Sequence, residues 1–132
     1  MRYILISFCK KYWVFITYPQ TNLAKKCSFY LSVDENARFK QCYMSIDACK
    51  RGFLSGCRPV IFIDGCHIKT RYRGQLLTAV GMDPNDCIFP IAVASVEVED
   101  TETWRWFLDN LKADLGINNT APWTIMSDKQ KV

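Results

Sequence analysis

Asp64 and Asp128 are the residues of this 132-residue chain whose setting suggests chemistry. Asp64 follows four consecutive apolar residues, Val60-Ile61-Phe62-Ile63, and precedes Gly65. Asp128 closes the run Pro122–Ser127. Two carboxylates brought side by side are hard oxygen ligands for Mg2+ or Mn2+, ions that keep several waters and bind phosphates. A pair of such ions about 4 Å apart can activate a nucleophile and stabilise the leaving oxygen in phosphodiester cleavage. An aspartate after a strand is more often a turn former or a helix cap. The reading therefore depends on the elements that would hold the pair.

Those elements can be read from pattern. Val60–Ile63 predicts a strand covered on both faces. A basic tip, Lys69 to Arg73, leads through Gly74 to a second strand at about 75–81. Asp83-Pro84-Asn85-Asp86 is a turn with proline where its fixed φ is useful. Residues 87–99 read as a third strand, and Pro90, which cannot donate a ladder hydrogen bond, predicts that it lies at an edge. Asp100 or Thr101 caps a helix whose residues Trp104, Phe107, Leu108, Leu111 and Leu115 form one apolar stripe, and Gly116 closes it. Pro122–Ser127 is a fourth strand. Three strands in a meander should be antiparallel. After a helical crossover the fourth should return parallel to the first and beside it. Asp64 and Asp128, far apart along the chain, would then meet.

Upstream, residues 28–33 and 39–44 read as strands and 45–55 as a helix. Ser45 is its expected N-cap, Asp47 lies in its first turn, and Ile46, Cys49 and Phe53 share one face. Residues 1–26 stay unassigned, with a break suggested by Pro19 and Asn22. The expected organisation is an unassigned segment at 1–26, strands and a helix at 27–58, and an α/β core at 59–132.

Composition narrows the class. The chain is 49% hydrophobic and 23% charged, which excludes a disordered or fibrous polymer. Its size suits one domain. No apolar run reaches the roughly 18 residues of a membrane span. Lys10 and Lys11 interrupt the apolar start and no small-residue cleavage site follows, which argues against a secretory signal. Seven scattered cysteines without a C-x-x-C pair fit free thiols better than a disulfide scaffold. Cys57, Cys66 and His67 lack the four-ligand spacing of a zinc site. The net charge of +4 hides an asymmetry. Residues 1–73 hold 13 Lys/Arg and four Asp/Glu, a balance of +9, and residues 74–132 hold four and nine, a balance of −5. A basic half can meet phosphates, but charge alone favours a solvated surface.

Several other residues have a plain structural reading. Trp104 belongs to the helix stripe and to the core. Trp106, about 200° round the helix, packs on a neighbour or at an interface. His67 is a strand histidine facing solvent. Lys50, Arg51 and Arg58 form a solvated basic face. Glu97 and Glu99 alternate along an exposed strand ahead of a helix N-terminus.

Three stretches together are specific: FKQCYMSIDACKRGFLSGCRPVIFIDGCHIK, GQLLTAVGMDPNDCIFPIAVASVEVEDTETWRWFLDNLKADLGI and WTIMSDKQK. In this order and spacing, Phe39 to Lys131, the larger part of the chain, resembles the plant Mutator-like element (MULE) transposase domain. That family belongs to the DDE transposases, which have an RNase H-like core. The resemblance implies a partial RNase H-like mixed sheet, broken off before the family's last strand and helices. It implies Asp64 and Asp128 as two catalytic, metal-holding acids for Mg2+ or Mn2+. DNA at transposon ends is the implied substrate, the activity is cleavage and strand transfer, and the location is nuclear. The family's third acid, a glutamate on a downstream helix, has no counterpart here, and Val132 stands where the family usually has glycine. Metal binding and cleavage by this chain alone are expected to be weak or absent, so activity stays open. Its exposed flank is expected to self-associate. Thr70-Arg71-Tyr72-Arg73 replaces a usually glycine-rich tip. With Lys69, Arg71 and Arg73 it adds positive charge on the expected DNA side. Two alternatives remain: a domesticated, non-enzymatic DNA- or protein-binding module, and a gene fragment without function.

Overall fold

The computed structural model describes residues 3–8, 12–17, 27–69, 71, 73–119 and 122–128, the first two segments as backbone. The elements in chain order are β1 (Tyr3–Phe8), β2 (Tyr12–Thr17), β3 (Cys27–Val33), β4 (Phe39–Ile46), α1 (Asp47–Gly56), β5 (Val60–His67), β6 (Gln75–Met82), β7 (Ile88–Val96), α2 (Thr101–Leu115) and β8 (Thr124–Ser127). β1 and β2 form an antiparallel pair of their own, and the suggested break at Pro19 and Asn22 lies outside the described residues. The other six strands form a mixed α/β sheet in the order β3-β4-β7-β6-β5-β8.

The meander is antiparallel as its turns require. β5 pairs with β6 and β6 with β7, and Asp83 Oδ1 accepts from the backbone N–H groups of Asn85 and Cys87 in the second turn. After α2 the chain returns as β8, parallel to β5 and beside it. The β3–β4 hairpin extends the sheet on the far side, because β4 pairs with β7.

That pairing corrects the placing of β7, which is an inner strand. Pro90 is tolerated because β4 reaches only as far as Ala92. Beyond that point β7 is flanked by β6 alone, and the ladder there shifts register between Ala79 and Val80, opposite Pro90. The proline occupies a local edge within an inner strand.

The start of α1 also differs from expectation. Ile46 is its N-cap and has no side-chain cap bond. Ser45 ends β4, and its hydroxyl donates to the Ile91 carbonyl at 3.0 Å, tying β4 to β7. Asp47 does lie in the first turn. α2 starts as its sequence dictates. Asp100 accepts from the Thr103 N–H at 2.7 Å, and Thr103 returns an acceptor to the Asp100 N–H, completing a capping box. Gly116 ends the helix at φ 63, where a side chain would be strained.

The Thr103 N–H holds the Asp100 carboxyl below its usual range. A depressed carboxyl contributes stability above its unfolded value and loses it as pH falls through the folded value. Asp100→Ala should therefore lower the melting temperature at about pH 7, with the difference from wild type shrinking at about pH 2. A difference of equal size at both pH values would rule out the charge.

Both helices pack on one face of the sheet. There Tyr43, Phe53, Ile61, Leu77, Ala94, Val96, Phe107 and Leu111 form the core. Of the Val60–Ile63 run only Ile61 is buried; Val60, Phe62 and Ile63 are half-buried. The two-sided cover expected of β5 is therefore not seen among the described residues. Phe29 and Leu31 are 58% exposed, and all four residues of β8 are exposed.

Candidate functional site

Asp64 lies within β5 and is exposed. Asp128 follows directly on the last residue of β8 and is exposed. The β5–β8 register runs from Val60 opposite Thr124 to Ile63 opposite Ser127. The next residue on each side is one of the two aspartates. Neighbouring strands lie about 4.8 Å apart, so the ladder brings the backbones that lead into Asp64 and Asp128 to one end of the sheet.

The backbone around Asp64 is held from two sides. In β6 the hydroxyl of Thr78, itself buried, donates to the Asp64 carbonyl at 3.3 Å. At Gly65 a Cβ would lie 2.7 Å from Glu99 Oε1, so only glycine lets that carboxylate come so close. Glu99 is fixed there by the Trp104 indole N–H, which donates to Oε1 at 3.0 Å. This corrects the reading of Glu99 as a solvent-facing residue. It is half-buried and joins the start of α2 to the residue after Asp64, whereas Glu97 is exposed as expected. The usable sequence signal was a glycine directly after Asp64 combined with a tryptophan five residues after Glu99. Neither is informative until α2 is seen to begin beside the end of β5.

The turn between β5 and β6 closes where Ile68 N–H donates to the Gly74 carbonyl at 2.9 Å. Lys69, Arg71 and Arg73 are exposed on it, at the strand end toward which Asp64 lies. Arg73 takes φ 39, in the left-handed region. Thr70 and Tyr72 lie outside the described residues. His67 is exposed at the end of β5.

The other basic candidates are occupied within the protein. Arg51 pairs with Asp47 at 2.8 Å and Arg58 with Asp86 at 2.9 Å. Lys50 departs from the solvated face expected of it. Only 12% of its side chain is exposed; it donates to Ser28 Oγ at 3.0 Å and faces Asp114 at 3.7 Å. Trp104 packs edge-on against Phe107 and Trp106 edge-on against Tyr43, so both indoles serve packing.

Six cysteines are described: Cys27, Cys42, Cys49, Cys57, Cys66 and Cys87. Burial pushes the Cys42, Cys49 and Cys57 thiols up, which disfavours the reactive thiolate. Among the described residues no three His, Cys, Asp or Glu side chains group as a metal site.

A family model described as the MULE transposase domain matches residues 60–132, more than half of the chain. This chain belongs to the MULE transposase domain family. The match starts at the first residue of β5 and takes in both aspartates, the meander, α2 and β8. Neither the curated proteins nor the solved structures contain a match. The MULE family match places the chain among transposase-derived proteins, and no described helix is long and apolar enough to cross a membrane.

Proposed function

We propose that this MULE-family chain carries part of a DNA transposase core, in which Asp64 and Asp128 hold a divalent metal ion for cleavage and transfer of DNA strands. The carrying observation is the parallel β5–β8 ladder, which ends with Ile63 opposite Ser127 and so brings the backbones that lead into the two aspartates to one end of the sheet. Three antiparallel strands, a helix and a parallel fourth strand beside the first also support a partial RNase H-like arrangement. Nuclear DNA is the corresponding setting.

The two exposed carboxylates fit Mg2+ or Mn2+. They are hard donors, and ions of this kind fill their remaining positions with water and phosphate oxygens. When bound, such an ion supplies positive charge against the phosphate and lowers the pKa of an attacking water or hydroxyl. The chain's own residues do the positioning. Thr78 fixes the Asp64 carbonyl, and Glu99, held by Trp104, seats the Gly65 backbone. Lys69, Arg71 and Arg73 on the adjoining turn attract the DNA backbone, a contribution that salt weakens.

Manganese titration followed by electron paramagnetic resonance tests the assignment. Asp64→Asn and Asp128→Asn should each weaken Mn2+ binding by roughly tenfold or more. Unchanged binding in either variant would remove that residue from the site. A non-enzymatic DNA-binding module is the second reading, favoured by the exposed basic turn. It is distinguished by DNA binding that is indifferent to Mn2+ and to both substitutions.

A further inference from the structure

Beyond the carboxylate pair, at the same end of the sheet, a groove of about 390 Å³ opens between the β3–β4 turn and the β5–β6 turn. Arg38, Phe39, Ile68, Arg73 and Glu97 line it, with Ser95 and Val96 at its base. Its volume lies in the range that accepts a small-molecule-sized unit. Among the described residues neither the Arg38 nor the Arg73 guanidinium has an ion pair, in contrast to Arg51 and Arg58, which are paired with aspartates. Arg38 is held in place by its backbone N–H, which donates to Asp34 Oδ1 at 2.8 Å, and its side chain is left for other partners. Phe39, 43% exposed, gives the groove an aromatic wall.

Two planar cations with no ion pair among the described residues suit the oxygens of a phosphate. An exposed aromatic ring beside them suits the face of a base. Glu97 is the carboxylate of the lining, and its oxygens accept from base amino groups while offering nothing to a phosphate. The combination matches one nucleotide better than it matches a bare anion. Ile68 is four residues beyond Asp64, about 13 Å along an extended strand, so one nucleic-acid strand can reach both places.

We propose that this groove is a nucleotide subsite, in which Arg38 and Arg73 take a backbone phosphate of a DNA strand and Phe39 takes its base. It rests on the transposase reading for the choice of DNA over a free nucleotide. No part of it needs a metal ion or the two aspartates.

The test is fluorescence anisotropy with a labelled single-stranded oligonucleotide in EDTA. Arg38→Ala/Arg73→Ala should weaken binding by about tenfold and reduce the slope of log K against log salt by about two. Phe39→Ala should weaken it by about fivefold or more. Arg51→Ala/Arg58→Ala, which removes the same charge from paired positions, should stay within about twofold of wild type. Circular dichroism confirms that the variants fold. Equal losses in the two arginine pairs would overturn the subsite in favour of general charge attraction. So would wild-type binding by Arg38→Ala/Arg73→Ala. A mononucleotide that binds as tightly as the oligonucleotide would overturn the choice of DNA. Because the assay contains EDTA, no metal ion links Asp64 and Asp128 to the oligonucleotide, whereas the Mn2+ titration contains no DNA, so failure of the metal site and failure of the groove give different results.

Discussion

Asp114→Ala should cost about 3–5 kcal/mol of folding stability. Asp114 lies on α2 and its side chain is 7% exposed. Its carboxylate accepts from the Tyr43 hydroxyl and from the Ser28 hydroxyl, each at 2.8 Å, with the Lys50 ammonium at 3.7 Å. One residue therefore binds β3, β4, α1 and α2 to each other. Alanine would leave the buried Tyr43 hydroxyl without its acceptor and the Lys50 charge uncompensated, which is the expensive way to break a buried pair. Asp114→Asn keeps an acceptor and loses the charge, so it should lose less. Urea unfolding of the two variants measures both, and a loss below about 1 kcal/mol for alanine would show that the network is already wet.

The same network predicts a pH response. Burial, and then the hydrogen bond to Asp114, raise the Tyr43 hydroxyl far above its usual value. A group raised in the folded state gives its full stability below the unfolded value, about 10 for tyrosine. That contribution is lost as pH rises beyond it. Tyr43→Phe should therefore unfold less steeply in alkali than wild type.

Gly81→Ala should be about as harmful as an overpacked core permits, about 1–3 kcal/mol. A Cβ at Gly81 would lie 2.5 Å from two ring carbons of Phe53, which is 1% exposed. Phe53 has little room to retreat, because it is buried and also packs against Trp123 with ring centroids 5.6 Å apart. Phe53→Ala alone should cost about 3–5 kcal/mol through the cavity it leaves. In that background Gly81→Ala should cost almost nothing, since the atoms it strikes are gone. Such strong non-additivity identifies a direct contact. Simple addition of the two losses would mean that α1 shifts instead of clashing.

The parts of the fold that follow from local rules could be read from residues alone. The Asp83 turn, the Asp100 cap, the apolar stripe of α2 and the Gly116 stop each depend on residues within a few positions of one another. The parallel return of β8 was legible too, because a helix between two strands leaves few alternatives. What failed depended on partners distant in sequence. Pro90 marks an edge in any single strand, and only the short reach of β4 turns it into a local one. Ser45 reads as a cap until its hydroxyl is found donating to the Ile91 carbonyl. Lys50 and Asp114 stand on separate helices with the whole meander between them, and nothing near either suggests a buried pair. Of the candidate site, Asp64 and Asp128 were visible as strand-end acids. Glu99 was not, because its place over Gly65 exists only once α2 starts beside β5.

The β5–β8 pairing also has a consequence for time. Ile63 meets Ser127 although β6, β7 and α2 all lie between them along the chain. Pairings that close such long loops form late, after the local hairpins and helices have shortened the effective distance. During synthesis β5 has to wait, with one side unpaired, until Ser127 has been made and released. Only when that pairing forms does the end of β5 that carries Asp64 gain β8 beside it, so this end of the sheet is incomplete in a chain that has yet to finish folding.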